Sequence, residues 1–344
     1  MNRAIPENLF FSRTRDFLET FLREQENRSE KTIRSYRDAL SVFRRYACNE
    51  MGYSLLSFSF ADCTYDLLLE YMEFLCGKQG YAPASVNQRI AAIKSYVCYA
   101  ADRDVTLQQV WFSVSRIPLR KVTKENRPVI EHNALRALLA APGDKRHGFR
   151  DSMLLTLLFD AALRAGELTA LLIKDVDISC KEPYLLIHGK GDKERIVGIT
   201  ERTAAMLRKY MNVYHGEKPR LEEPLFYTKT KGLIGKMSER NVERIIKKYA
   251  DEIRPDYPEL PVTVYPHMLR RTRATGLYRD GIELELISRM LGHSTTEVTK
   301  KYAIPSIEMM REAMERSPLR GIAEESPLWI GKENDLIRLC GLKP

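Results

Sequence analysis

The stretch YLLIHGKGDKERIVGI, residues 184–199, decides the fold. Tyr184 to His188 and Arg195 to Ile199 are short runs of strand-forming residues, and the GKGDKE between them holds the glycines and aspartate of a reversing chain. This is a β-hairpin. Outward from it the apolar residues recur at helical spacing instead. Upstream, Ile130 to Leu139 and Ser152 to Leu163 read as helices; downstream, so do residues 202–214, 238–249, 267–279, 284–291, the surroundings of Tyr302, and 307–316. A hairpin set among helices makes the fold mainly α with a small β-sheet, of the α+β class.

Further upstream the chain reads as helical throughout. Ser29 is an N-cap candidate before Thr32, Ile33, Tyr36, Leu40 and Phe43, whose spacing makes one apolar face. Residues 65–75 and 85–99 repeat the pattern, the latter burying Val86, Ile90, Ile93 and Val97, with Gly77 and Gly80 between the two. Residues 1–114 therefore form a small helical domain. The next stretch, SRIPLRKVTKENRPV, has two prolines, five basic residues and one acid, and reads as a basic linker over 115–129. A larger domain follows over 130–316, and then a tail over 317–344. In that tail Pro318 and Pro327 interrupt any long helix, while Trp329, Leu336, Ile337 and Leu339 form an apolar set.

The length of 344 residues is about twice the ~150-residue domain prior, in keeping with two cores. A hydrophobic share of 44% and a charged share of 29% belong to an ordinary globular chain. No run of about 18 apolar residues and no leader-like start occur, so a cytoplasmic, nucleoid-associated protein with no membrane partner is expected. Cys48, Cys63, Cys76, Cys98, Cys180 and Cys340 are scattered without a C-x-x-C pair, which points to reduced thiols rather than a zinc site or disulfides. The net charge of +9 suits a polyanion. Residues 1–115 hold 14 basic and 14 acidic side chains, so the whole excess lies beyond them. Even so, Arg34 and Arg37 stand in a locally basic helix fit to face phosphates.

Taken singly, the polar residues of the larger domain are ordinary. Arg164, in FDAALRAGELTAL, stands at the end of an apolar helix, where an arginine is a favourable terminal charge. Lys190 sits in the hairpin turn, where lysine is commonly just solvated; the spacing of a phosphate-binding P-loop is absent. His267 and Arg270 follow Pro266 at a helix start, and their i, i+3 spacing puts both on one face, whether as an anion site or as an exposed basic helix. His293 follows Gly292, which stops one helix, and Ser294-x-x-Glu297 is a capping box for a short new one that carries Tyr302 near its far end.

The order of these pieces says more than any one of them. ALRAGEL, GKGDKER, HMLRR, LGHS and KKYA, in that sequence, resemble the signature of the tyrosine recombinase, or phage integrase, family. The likeness spans about residues 10–316, because SEKTIRSYRDAL and YAPASVNQRIAAIKSY are similar to the family's SAM-like core-binding domain. The resemblance implies a helical core-binding domain and a catalytic domain closing like a clamp on double-stranded DNA. It further implies a transient 3′-phosphotyrosine on Tyr302, a Holliday junction, and a homotetramer on two DNA sites.

Elementary chemistry agrees with these roles. Cutting a phosphodiester without a metal requires fixed cations around the non-bridging oxygens, which Arg164, Arg270 and His293 are suited to supply. Tyr302 has an ordinary pKa near ~10 and must lose its proton during attack, with His267 or a neighbour as acceptor. Lys190 is the natural general acid for the departing 5′ oxygen, and Glu167, three residues after Arg164, orients that arginine. The DNA backbone falls to Arg34 and Arg37 and to Arg116, Arg120, Lys121 and Lys124 of the linker. No metal, ATP or other cofactor is expected.

Within the family, the arm-site domain of many phage integrases is expected to be missing, which favours the integrase or transposase of a mobile element acting on short core sites. A host recombinase of the Xer type is the alternative, and accessory DNA-bending or directionality factors fit either. From other classes, a type IB topoisomerase would share the nucleophile, and a non-catalytic DNA-binding regulator would need only the basic surfaces. The resemblance also implies that the tail is exchanged between subunits, the alternative being that it docks on its own domain.

Overall fold

The structure of the protein, a computed structural model, describes residues 6–123, 128–189, 194–230, 232–292, 295–300, 303, 305, 307–315 and 331–343. It divides into two compact units, Met1–Asn126 and Arg127–Pro344.

The first unit is helical. Its elements are α1 (Thr14–Asp16), which runs on into a wide helical turn over Phe17–Gln25, then α2 (Glu30–Arg45), α3 (Tyr65–Gly77), α4 (Pro83–Ala101) and α5 (Gln108–Ser115). Ser29 caps α2 as its sequence predicts, its hydroxyl accepting from the Thr32 N–H at 3.3 Å. Thr64 caps α3 in the same way, accepting from Leu67 at 3.2 Å. Where the two glycines stand, α3 ends at Gly77 and Gly80 takes a φ of 66°, a left-handed turn that costs glycine nothing. The core is aromatic. Phe10 meets Phe43 and Tyr96 edge-on with ring centroids 5.4 and 5.3 Å apart, and Ile90, Ile93 and Val97 of α4 are fully buried beside them.

The stretch read as a basic linker over 115–129 is docked on the helical unit along its first six residues. Ile117 is buried, Lys94 donates to the carbonyls of Ser115 and Ile117 at 2.8 and 2.7 Å, and Asn87 brackets Arg120 by accepting its N–H at 2.8 Å and donating to its carbonyl at 2.9 Å. The burial of Ile117 and the part-buried Asn87 hydrogen bonds hold this end of the basic stretch on the unit.

The second unit holds α6 (His132–Ala140), α7 (Gly148–Asp160), α8 (Ala165–Ala170), β1 (Val176–Asp177), β2 (Tyr184–His188), β3 (Glu194–Gly198), α9 (Glu201–His215), β4 (Tyr227–Thr230) and β5 (Leu233–Lys236). It continues with α10 (Glu239–Ile253), α11 (Pro266–Arg279), α12 (Leu284–Leu291), α13 (Thr296–Lys300), α14 (Ile307–Glu315) and α15 (Glu333–Leu339). β2 and β3 pair antiparallel from Tyr184↔Gly198 to His188↔Glu194, and β1 adds a third strand beyond β2. A second hairpin, β4 with β5, has no counterpart in the sequence expectation. α7 is the central element, burying Met153, Leu154, Leu155, Leu157 and Leu158 against a core that includes Leu207, Tyr210, Phe226 and Leu269.

One element ends earlier than its composition predicts. The helix expected over 152–163 stops at Asp160, and Ala162 takes a φ of 49°, a left-handed conformation costing an L-residue about 1–2 kcal/mol. The Arg270 guanidinium donates to the Ala162 carbonyl at 2.7 Å and holds that turn in place. Arg164 is therefore not at the end of an apolar helix. It stands in extended conformation directly before α8.

Candidate functional site

Breaking the chain at Ala162 turns Arg164 out of the core and puts Glu167 on the first turn of α8. The Glu167 carboxylate accepts the Arg164 backbone N–H at 2.9 Å and its guanidinium at 2.6 Å, so one acid fixes both the main chain and the side chain of that arginine. The Arg164 side chain keeps 43% of its surface exposed, whereas Glu167 keeps 7%. Arg164 is presented and Glu167 is the mount.

Arg270 reaches the same carboxylate from α11, with a nitrogen 3.7 Å from Glu167 Oε2. Pro266 opens this helix, as its fixed φ favours, and His267 and Arg270 follow on one face, His267 partly buried and Arg270 with no exposed surface. The Arg270 guanidinium spans two main-chain turns, donating to the carbonyls of Ala162 and of Leu291, the last residue of α12. The sequence places Arg270 beside Arg164 through chemistry alone; what it does not anticipate is that the side chain is enclosed, with both terminal nitrogens donating to protein carbonyls.

α12 stops at Gly292, which adopts the left-handed conformation at φ 62° and ψ 46° that the sequence assigns to it. Lys190, His293 and Tyr302 lie outside the described residues, as do Ser294 of the expected capping box and Lys124 of the basic stretch.

Arg195 is the participant that sequence reasoning missed. On β3 it faces Glu167 with both guanidinium nitrogens, at 3.0 and 2.8 Å, and its Nε donates to the Met290 carbonyl at 3.1 Å. Burial pushes the Glu167 carboxyl up, but the Arg195 fork, the Arg164 N–H and the Arg164 guanidinium outweigh that and hold it down at about 2. A carboxylate with this many donors stays ionised and keeps three arginines in one place. The only local hint is the alternation of β3, which points Arg195 opposite to its neighbours Glu194 and Ile196.

At the other side of the hairpin His188 stands between two carboxylates, Nε2 3.0 Å from Asp175 and Nδ1 3.0 Å from Glu194. Its pKa is raised, first by the Asp175 hydrogen bond. Among the described residues no cluster of three or more His, Cys, Asp or Glu side chains is placed to hold a metal ion, and no helix is long and apolar enough to cross a membrane.

In the first unit Arg34 is exposed, and Arg37 pairs with Glu19 at 2.8 Å. Arg116 is exposed and lies over the Phe112 ring at 5.3 Å, Arg120 pairs with Glu73 at 2.5 Å, and Lys121 is exposed. Such surface pairs are weak enough to be exchanged for a phosphate.

Residues 128–308 match the model of the phage integrase family, and residues 15–104 match that family's N-terminal SAM-like domain. The chain belongs to the phage integrase family. Its relatives include a tyrosine recombinase of Agathobacter rectalis, 29% identical over 302 residues that cover 84% of this chain and 91% of that protein. Tyrosine recombinase XerA of Pyrococcus horikoshii is 27% identical over 309 residues, covering 88% of this chain and 94% of XerA. Among solved structures, the Tn1549 transposon integrase in complex with transposon right end DNA shares the fold at a TM-score of 0.64 and 19% identity, over 88% of this chain and 98% of that one. This phage integrase family member is thus a tyrosine recombinase, a DNA strand-breaking and rejoining enzyme. A regulator that merely binds DNA is set aside.

Proposed function

We propose that the enzyme cuts DNA through Tyr302, with Arg164, Arg270, His267 and His293 around the scissile phosphate and Lys190 as general acid, and that it recombines two duplexes as a homotetramer. The observation that carries this reading is the shared carboxylate: Glu167 brings together two arginines 106 positions apart in sequence, Arg164 at 2.6 Å and Arg270 at 3.7 Å. Two guanidinium groups at one spot suit the growing charge on the non-bridging oxygens of a phosphoryl transition state. Arg164 is ready to meet a phosphate from solvent. Arg270 has no exposed surface, so a phosphate reaches it only once the groups that enclose it move.

Tyr302→Phe removes only the hydroxyl. The variant retains DNA binding and folding but forms no covalent adduct on a nicked suicide duplex in a denaturing gel; a surviving adduct places the nucleophile elsewhere. The exposed Arg34, Arg116 and Lys121 neutralise backbone phosphates in this reading, so binding weakens steeply with added salt.

As to biological role, the reading is a mobile-element integrase or transposase, supported by the apolar set in the tail. The name of the Pyrococcus relative, XerA, favours the second reading, a host recombinase. Recombination of sites flanking the gene itself, against recombination of a chromosomal site, separates the two.

A further inference from the structure

We infer that Arg195 is a positioning residue for the cleavage step, one that locks the Arg164 mount to the end of α12 and to the base of the β2–β3 hairpin. Its three side-chain nitrogens are all used: Nη1 and Nη2 grip the two Glu167 oxygens at 3.0 and 2.8 Å, and Nε donates to the Met290 carbonyl at 3.1 Å. The fork leaves Glu167 free to hold Arg164 at the same time, through the N–H at 2.9 Å and the guanidinium at 2.6 Å. The side chain is 13% exposed, so these contacts lie out of bulk water and hold their geometry.

The end of α12 is shaped to this arginine. A Cβ on Gly292 would lie 2.8 Å from Arg195 Cδ, closer than real Cβ atoms come, and a tight 3.0 Å from Nε and Nη1. The left-handed glycine thus does two things: it ends the helix and makes room for the arginine. Three segments meet on one side chain: the start of α8 with Arg164, the end of α12 immediately before His293, and the strand that begins four residues after Lys190. None of them is adjacent in sequence. The role of Arg195 is positional: through Glu167 and Met290 it fixes the Arg164 mount against the end of α12. A lysine has one point charge and no fork, so it cannot grip both oxygens and Met290 together.

The inference rests on the proposed roles of Arg164 and its neighbours, and the experiment separates the two. Arg195→Gln, Arg195→Lys, Arg164→Ala and the Arg164→Ala/Arg195→Gln pair are compared on a nicked suicide duplex. The readouts are the single-turnover rate of adduct formation at saturating DNA, the DNA dissociation constant, and thermal unfolding. Arg195→Gln is expected to slow adduct formation by about 10²-fold, the effect of a displacement near 1 Å at a reacting centre, with DNA binding within about threefold of wild type. Arg195→Lys is expected to give no rescue. In the Arg164→Ala background, Arg195→Gln is expected to add less than tenfold, because both act through one group. Full multiplication of the two losses, or a rate that falls only in step with DNA affinity, overturns the inference. So does a folded Arg195→Gln or Arg195→Lys protein that cuts at the wild-type rate. If Arg195→Gln does not fold, Arg195→Lys alone decides between these outcomes. Should Arg164→Ala itself cut normally, the site reading fails first, whatever Arg195 does.

Discussion

Glu167 grips Arg195 with both carboxylate oxygens across 28 positions of sequence, and with the same two oxygens it holds Arg164. This pairing makes the site sensitive to acid in a defined direction. The folded-state pKa of Glu167 is depressed to about 2 from its ordinary 4.5, so its contribution is present above the unfolded value and is lost as pH falls from about 4.5 towards 2. Glu167→Gln removes that dependence and, at neutral pH, leaves enclosed arginines without their counter-charge. A loss of about 3 kcal/mol is expected, the lower end for breaking a buried pair. In a domain of this size that is a fall of roughly 6–12 °C in Tm. Calorimetry of both proteins from pH 7 to pH 3 checks it: the gap between them should narrow once the pH falls below about 4.5, and a constant gap contradicts the assignment.

Gly292→Ala carries two separable costs. The left-handed conformation at φ 62° costs an alanine about 1–2 kcal/mol, and its Cβ also collides with Arg195 Cδ at 2.8 Å. Combining it with Arg195→Ala removes the collision and leaves the backbone cost. Denaturant unfolding of the two single variants and the double is therefore expected to show less than additive destabilisation. Strict additivity would mean that the glycine serves only the backbone.

How much of this was legible follows from the distances along the chain. Ser29, Pro266 and Gly292 act within a few residues of themselves, and the cap, the helix start and the left-handed stop are where the sequence puts them. The Glu167 to Arg164 spacing of three residues is equally local. By contrast, the apolar run through Ala162 reads as helix, and the guanidinium that takes up the carbonyl of the turn there comes from Arg270, 108 positions away. Arg195 was missed for the same reason, since its partners are 28 and 95 positions distant. Ile117 is another case: a single buried side chain docks a segment whose composition is that of a linker.

His188 gives the hairpin a pH dependence of the opposite sign. Each ring nitrogen faces a carboxylate, Asp175 on one side and Glu194 on the other, and only the doubly protonated ring can donate to both. Because the pKa is raised, the clasp is fully present below the ordinary histidine value of 6.5 and is lost as pH climbs through the raised one. The side chain is 45% exposed, so solvent screens the effect and it is local rather than global. Amide hydrogen exchange at Ile187 and Arg195, corrected for the intrinsic pH dependence, is expected to speed up from pH 6 to pH 8. His188→Gln should abolish that change, and equal pH dependence in both proteins would remove His188 from the clasp.

The general acid is the last link to test, and the hairpin gives a reason to look at Lys190. β2 and β3 are held by five paired positions up to His188↔Glu194, so the residues joining them start from a fixed base. An ammonium carried there has a compact charge and a proton to give, and in the proposed reaction the 5′ oxygen that departs as Tyr302 attacks is a poor leaving group unless it receives one. Lys190→Ala should therefore slow adduct formation by about 10²–10⁴-fold on an ordinary substrate, the usual span for general acid catalysis. A bridging sulfur in place of the 5′ oxygen leaves without protonation, and on that substrate the variant should approach the wild-type rate. Arg164→Ala, which in the proposed reaction strips charge from around the non-bridging oxygens, should stay slow on both substrates. If the sulfur substrate fails to rescue Lys190→Ala, the acid is another group and Lys190 acts only through its charge.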